Sequence, residues 1–87
     1  MMSDMDVGVG VGVIRELEAT LRERAGRPPA ESYTARLLAA GEDEIVKKVG
    51  EEAIEVVLAA KGQGDERLVS EAADLVYHLL VLLQSRG

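Results

Sequence analysis

Two short acidic clusters carry the residue types that hold a hard metal ion. Glu51-Glu52-Ala53-Ile54-Glu55 and Glu71-Ala72-Ala73-Asp74 each space carboxylates three or four residues apart, which aligns side chains along one side of a helix. If carboxylates of the two clusters converge on one pocket they repel, each close pair costing up to about 4 kcal/mol at an effective dielectric near 20. A cation removes that cost, and oxygen ligands select Mg²⁺, Mn²⁺ or Ca²⁺. Mg²⁺ commonly shares its coordination with substrate phosphates, so phosphate-ester or anhydride chemistry is the natural reading. The opposing reading is a pair of solvated acidic faces, since Glu is a good helix former. Residue types and spacing leave both open.

The elements that must position these groups follow from apolar spacing. Residues 1–12 include the alternating run Val7-Gly8-Val9-Gly10-Val11-Gly12, which lacks the Gly-Lys-Ser/Thr of a phosphate loop and reads as a flexible leader ahead of a single domain at 13–87. Helical spacing begins with Val13, Ile14, Leu17 and Leu21 and ends at Gly26 and Pro28-Pro29. A short second helix opens at Ser32-Tyr33-Thr34, with Ser32 or Thr34 as its cap, and Gly41 closes it. Glu42, Asp43 and Glu44 then occupy the first turn of a third helix, where the macrodipole favours negative charge. That helix runs to about Lys61, and a turn at Gly62-Gln63-Gly64-Asp65, with Asp65 as cap, leads into a fourth helix ending near Gln84.

On a helical wheel, Ile45, Val49, Ala53, Val56 and Ala60 form one stripe of the third helix, with Glu51, Glu52, Glu55 and Lys48 beside it. Ile54 and Leu58 form a second apolar patch, so this helix needs neighbours on more than one side. The fourth helix is apolar around most of its circumference and gathers Arg67, Glu71, Asp74 and His78 into one polar strip. The spacing predicts an all-α domain: a four-helix bundle built on a helical hairpin and completed by dimerisation.

Composition narrows the partners. The 87 residues include no cysteine, which excludes disulfides and thiolate metal sites as supports for so small a core. Acidic residues outnumber basic ones 16 to 10, a charge balance that disfavours nucleic acid and anionic membrane. No uninterrupted apolar run approaches the roughly 20 residues of a membrane span. Asp4 and Asp6 stand where a secretory signal carries positive charge, so the expected location is the cytoplasm.

The acidic clusters, together with Ser32-Tyr33-Thr34, Leu37-Leu38, Lys47-Lys48-Val49-Gly50 and Ala73-Asp74-Leu75-Val76-Tyr77-His78-Leu79-Leu80, resemble the phosphoribosyl-ATP pyrophosphohydrolase family. That family belongs to the all-α, MazG-like nucleotide pyrophosphatases, whose E-E-x-x-E and E-x-x-D motifs match Glu51–Glu55 and Glu71–Asp74; the likeness runs from about Ile14 to Leu83. The resemblance implies a helical homodimer that uses Mg²⁺ to hydrolyse 1-(5-phosphoribosyl)-ATP to phosphoribosyl-AMP and pyrophosphate, the second step of histidine biosynthesis. By motif position it implies Glu52, Glu55, Glu71 and Asp74 as metal ligands and Glu51, Glu52 and Glu55 as catalytic groups, with Glu51 a further ligand or an outer-shell base. In many organisms this domain is fused to a cyclohydrolase; here the stand-alone form is expected.

No Ser, Cys or His sits in a nucleophile constellation, so attack by metal-activated water is expected. Arg36, Lys48, Lys61 and His78 are the candidates for substrate contact, and Tyr33 and Tyr77 are the only aromatic rings available for stacking on a purine. Three functions compete: the phosphoribosyl-ATP enzyme, a house-cleaning (d)NTP pyrophosphatase with the same metal site, and a non-catalytic helical dimerisation module.

Overall fold

A computed structural model describes the backbone of residues 4–87 and the side chains of residues 12–87. Four helices follow in order: α1 (Asp4–Ala25), α2 (Tyr33–Ala40), α3 (Glu42–Gly62) and α4 (Asp65–Ser85). There is no strand among the described residues, and the all-α expectation holds.

Local chemistry sets most of the boundaries. Ser32 caps α2, its Oγ accepting the Ala35 amide at 3.2 Å. Gly41 ends α2 at φ 102°, a conformation glycine adopts without steric cost, while its amide donates to Leu37 O. Gly64, at φ 87°, starts α4 in the same way. Asp65 is therefore the first helical residue and not the cap, and no side chain caps α4. Asp65 still meets the dipole with favourable charge.

α1 starts at Asp4, ahead of Val13, where the apolar spacing begins. Much of the segment read as a leader thus has helical backbone, and residues 1–3 lie outside the described residues. A Val-Gly alternation is a poor helix former and has no amphipathic period, so nothing in its spacing announces a helix.

Only the two residues Gln63 and Gly64 join α3 to α4, which forces them antiparallel, and they share the most extensive helix contact of the fold. The buried core takes one apolar side chain from each helix: Leu21, Leu37, Ile45 and Val81. Leu17, Leu38, Tyr77, Leu80 and Leu82 pack around it. Ile45 opens α3 and Val81 is near the end of α4, so the core clamps the end of the hairpin away from its turn. Toward the turn, α3 buries Ala59 against its neighbour while Ala60 faces out, a rotation of one residue from the expected stripe. By length and composition α4 is apolar enough to cross a membrane.

Because Ile45 is fully enclosed, Ile45→Ala leaves a cavity that its neighbours fill only in part. The expected loss is about 2–5 kcal/mol, read from chemical unfolding followed by circular dichroism. Val46→Ala, one residue on and half exposed, is expected to cost less than about 0.5 kcal/mol.

Candidate metal centre

The hairpin brings carboxylates together at its midpoint. Glu52 of α3 and Glu71 and Asp74 of α4 each offer an oxygen within 4.8 Å of the others. They form a graded mouth: Glu71 is buried, Glu52 half-buried and Asp74 exposed. The i, i+3 spacing of Glu71 and Asp74 aligns them on α4, and antiparallel packing sets Glu52 opposite.

Of the four carboxylates expected to ligate, these three meet. Glu55 lies one turn beyond Glu52, half-buried and outside that group. Glu51 faces another way: it pairs with Lys48 at 3.6 Å and Lys47 at 3.9 Å on the exposed side of α3.

Burial raises the pKa of Glu52 above the usual carboxylate value, and the negative charge of Asp74 raises it further; His78 acts in the opposite direction and Glu71 adds to the rise. Glu71 has a local counter-ion, Arg67, at 2.8 Å. Arg67 shares the polar strip of α4, and its i, i+4 spacing to Glu71 is the sequence signal for this pair. Three hard oxygen donors this close match the chemistry of a divalent hard-cation site.

A second layer ties α2 to this centre. His78 is buried; its Nδ1 donates to the Asp74 carbonyl at 2.7 Å, and its Nε2 lies 3.0 Å from the Tyr33 hydroxyl. A carbonyl only accepts, so the neutral ring carries its proton on Nδ1 and Nε2 accepts from Tyr33. Tyr33 stacks on Tyr77 with centroids 6.1 Å apart, and the Tyr77 hydroxyl shares a hydrogen bond with Thr34. Burial raises the pKa of the Tyr33 hydroxyl; Lys48 opposes that rise, while Tyr77, Glu52 and Glu44 add to it.

The candidate substrate contacts separate accordingly. Lys48 is half-buried and near enough to act on Tyr33. Arg36 donates to the Pro29 carbonyl at 3.2 Å and lies 5.8 Å from the Tyr33 ring centroid, so it braces the loop before α2. Lys61 is exposed on the last turn of α3, about 13 Å along the axis from Glu52. His78 is engaged at both nitrogens by protein groups.

Fold and site together define an all-α protein with a carboxylate cluster in a helical hairpin that could hold a metal ion. Residues 14–87 match the profile of a family described as Phosphoribosyl-ATP pyrophosphohydrolase. The chain is 52% identical over 75 residues to a phosphoribosyl-ATP pyrophosphatase of Pyrobaculum islandicum, covering 86% of this chain and 80% of the relative. Identity to the phosphoribosyl-ATP pyrophosphatase of Pelotomaculum thermopropionicum is 55% over 75 residues, covering 86% and 76%. A Bacillus subtilis relative, the histidine biosynthesis bifunctional protein HisIE, is 52% identical over 76 residues, which cover 87% of this chain and 36% of that longer protein. This chain belongs to the phosphoribosyl-ATP pyrophosphohydrolase family.

The raised Glu52 pKa sets the sign of a pH effect in metal-free protein. Folded Glu52 keeps a proton that the unfolded chain releases, so its favourable contribution is complete below the ordinary glutamate value. That contribution is lost as pH rises through the higher folded value. With EDTA present, melting temperature is expected to fall over that window in wild type. Glu52→Gln should flatten the fall and melt higher than wild type at neutral pH.

Proposed function

We propose that this chain hydrolyses 1-(5-phosphoribosyl)-ATP to 1-(5-phosphoribosyl)-AMP and pyrophosphate, the second step of histidine biosynthesis, as a cytoplasmic homodimer using Mg²⁺. The observation that carries the reading is the meeting of Glu52, Glu71 and Asp74 at the hairpin midpoint in a member of this family. The catalytic domain comprises residues 13–87, and the leader has no assigned role.

Glu52, Glu71 and Asp74 would hold Mg²⁺, with Glu55 the further ligand that the motif implies. When bound, the ion neutralises charge on the phosphates and lowers the pKa of a water at the site. Glu71 is fixed by its pair with Arg67, which leaves its remaining lone pairs aimed at the site. Glu51 holds Lys48 on the flank of the arc, and Lys48 is the cation there that would offset phosphate charge. Tyr33, pinned by His78, forms a wall beside the centre. The protein supplies position and electrostatics, and no side chain serves as a covalent nucleophile.

Purified protein is expected to release pyrophosphate from phosphoribosyl-ATP and not from a panel of dNTPs, and to stop on addition of EDTA. Glu52→Gln and Asp74→Asn should each lose at least about 10²-fold in rate while folded, since each removes a charged ligand. Glu42→Gln, whose carboxylate pairs with Arg86 off the site, should stay within about threefold of wild type. Equal rates in all three variants would overturn the metal mechanism.

Dimerisation is supported by apolar surface that the single chain leaves bare. Ile54, Val57 and Leu58 on α3 and Val69, Val76, Leu79 and Leu83 on α4 are exposed. A second copy covering these faces gives the apolar circumference of α4 a use that needs no membrane. Light scattering at micromolar concentration should read a dimer. Ile54→Asp or Leu58→Asp should shift it to monomer, because each puts a charge into an apolar contact.

A further inference from the structure

The Ser32-Tyr33-Thr34 segment borders two places, and the metal centre uses only one. On its other side, between the end of α1 and the start of α2, is a recess of about 150 Å³. Its lining includes Arg24, Arg27 and Glu31 together with Ser32, Tyr33, Thr34 and Tyr77. Arg24 makes no ion pair among the described residues. Arg27 is held at 2.7 Å by Glu23 on its own helix, in an exposed pair of the kind that costs little to open.

The lining includes two arginines, and arginine binds a phosphate monoester through paired N–H groups, while the Tyr33, Thr34 and Tyr77 hydroxyls there are already bonded within the protein. Glu31 does not suit a bare phosphate. A carboxylate beside an arginine pair does suit a phosphorylated sugar, accepting from ring hydroxyls while the arginines take the phosphate.

Position decides which phosphate of the substrate reaches this recess. The triphosphate must lie against Glu52, Glu71 and Asp74, because the bond between its α and β phosphates is cleaved there. The recess is separated from those carboxylates by the Tyr33 side chain, whose hydroxyl reaches His78 and, through it, the backbone of Asp74. It is thus adjacent to the reacting phosphates without being their site. We propose that this recess binds the phosphorylated ribosyl arm of the substrate, with Arg24 and Arg27 on its 5-phosphate and Glu31 on its hydroxyls. The assignment rests on the proposed function and names a subsite for it. It makes the recess a specificity element, because an ordinary nucleoside triphosphate has no group to place there.

The test compares phosphoribosyl-ATP with the same compound lacking the 5-phosphate, on wild type and on R24Q/R27Q. For the full substrate, the variant should raise KM at least about tenfold with kcat within about threefold of wild type. For the dephosphorylated compound, wild-type KM should already be raised and the variant should add nothing. If the double variant melts early, R24Q alone should show the same split in smaller degree. A KM loss equal for both compounds, or a loss confined to kcat, overturns the assignment. A second arm does not depend on turnover: ribose 5-phosphate titrated into ¹⁵N-labelled protein should shift the amides of Ser32 to Thr34 in wild type and not in R24Q/R27Q. No shift there overturns the subsite even if hydrolysis is confirmed. A shift in a chain that does not hydrolyse phosphoribosyl-ATP upholds the recess as a sugar-phosphate site and overturns the reaction instead.

Discussion

Holding the carboxylates of Glu52, Glu71 and Asp74 within 4.8 Å of one another opposes folding, and the surrounding structure is arranged to withstand it. At 4.8 Å a pair of unit charges repels by about 3.5 kcal/mol at an effective dielectric near 20, before solvent screening reduces it. The chain answers in two local ways. Arg67 balances Glu71, the most buried of the three, and Glu52 retains a proton to higher pH because burial and Asp74 disfavour its charge. A bound divalent cation removes the remaining repulsion, which links metal affinity directly to stability.

What keeps the hairpin closed against this repulsion is packing at a distance from it. The core residue from each helix lies toward the start of α3 and the end of α4, and the carboxylates lie midway to the turn. Among the described residues, the core contributions of α1 and α2 are at that end, so they brace it. Ile54, Val57, Leu58 and Val69 belong to the turn-side half and remain exposed. A chain of 87 residues cannot supply a third layer over its whole hairpin, which is the physical case for a second copy doing so.

The hairpin and most of its carboxylate centre were legible because both depend on helical period and a short connection. Periodicity places Glu71, Asp74 and His78 on one strip, and a two-residue connection makes the antiparallel neighbour unavoidable. Period does not fix how far a helix rotates toward that neighbour. Hence Ala59 is buried where Ala60 was expected, and Glu52 joins the α4 carboxylates while Glu55 stays outside the group. The Asp65 cap failed for a different reason. Asp is a good cap, but Gly64 already supplies the left-handed turn that starts α4 one residue earlier. The bond between Tyr33 and His78 joins residues 45 positions apart, and no local pattern encodes such a pair.

That long-range bond explains why so short a helix as α2 matters to a site built on α3 and α4. α2 has eight residues, too few to be stable alone, and is held by its Ser32 cap, Leu37 in the core and Tyr33 on His78. The tautomer of His78 is set by the Asp74 carbonyl, so the acceptor that receives Tyr33 is fixed by the same turn of α4 that carries a carboxylate of the cluster. Any rotation of α4 that moves Asp74 also moves the anchor of Tyr33. Tyr33 in turn divides the carboxylate centre from the arginine recess. The carboxylate cluster and the arginine-lined recess are thereby referenced to one element, and a ligand engaging both would be held in register by it.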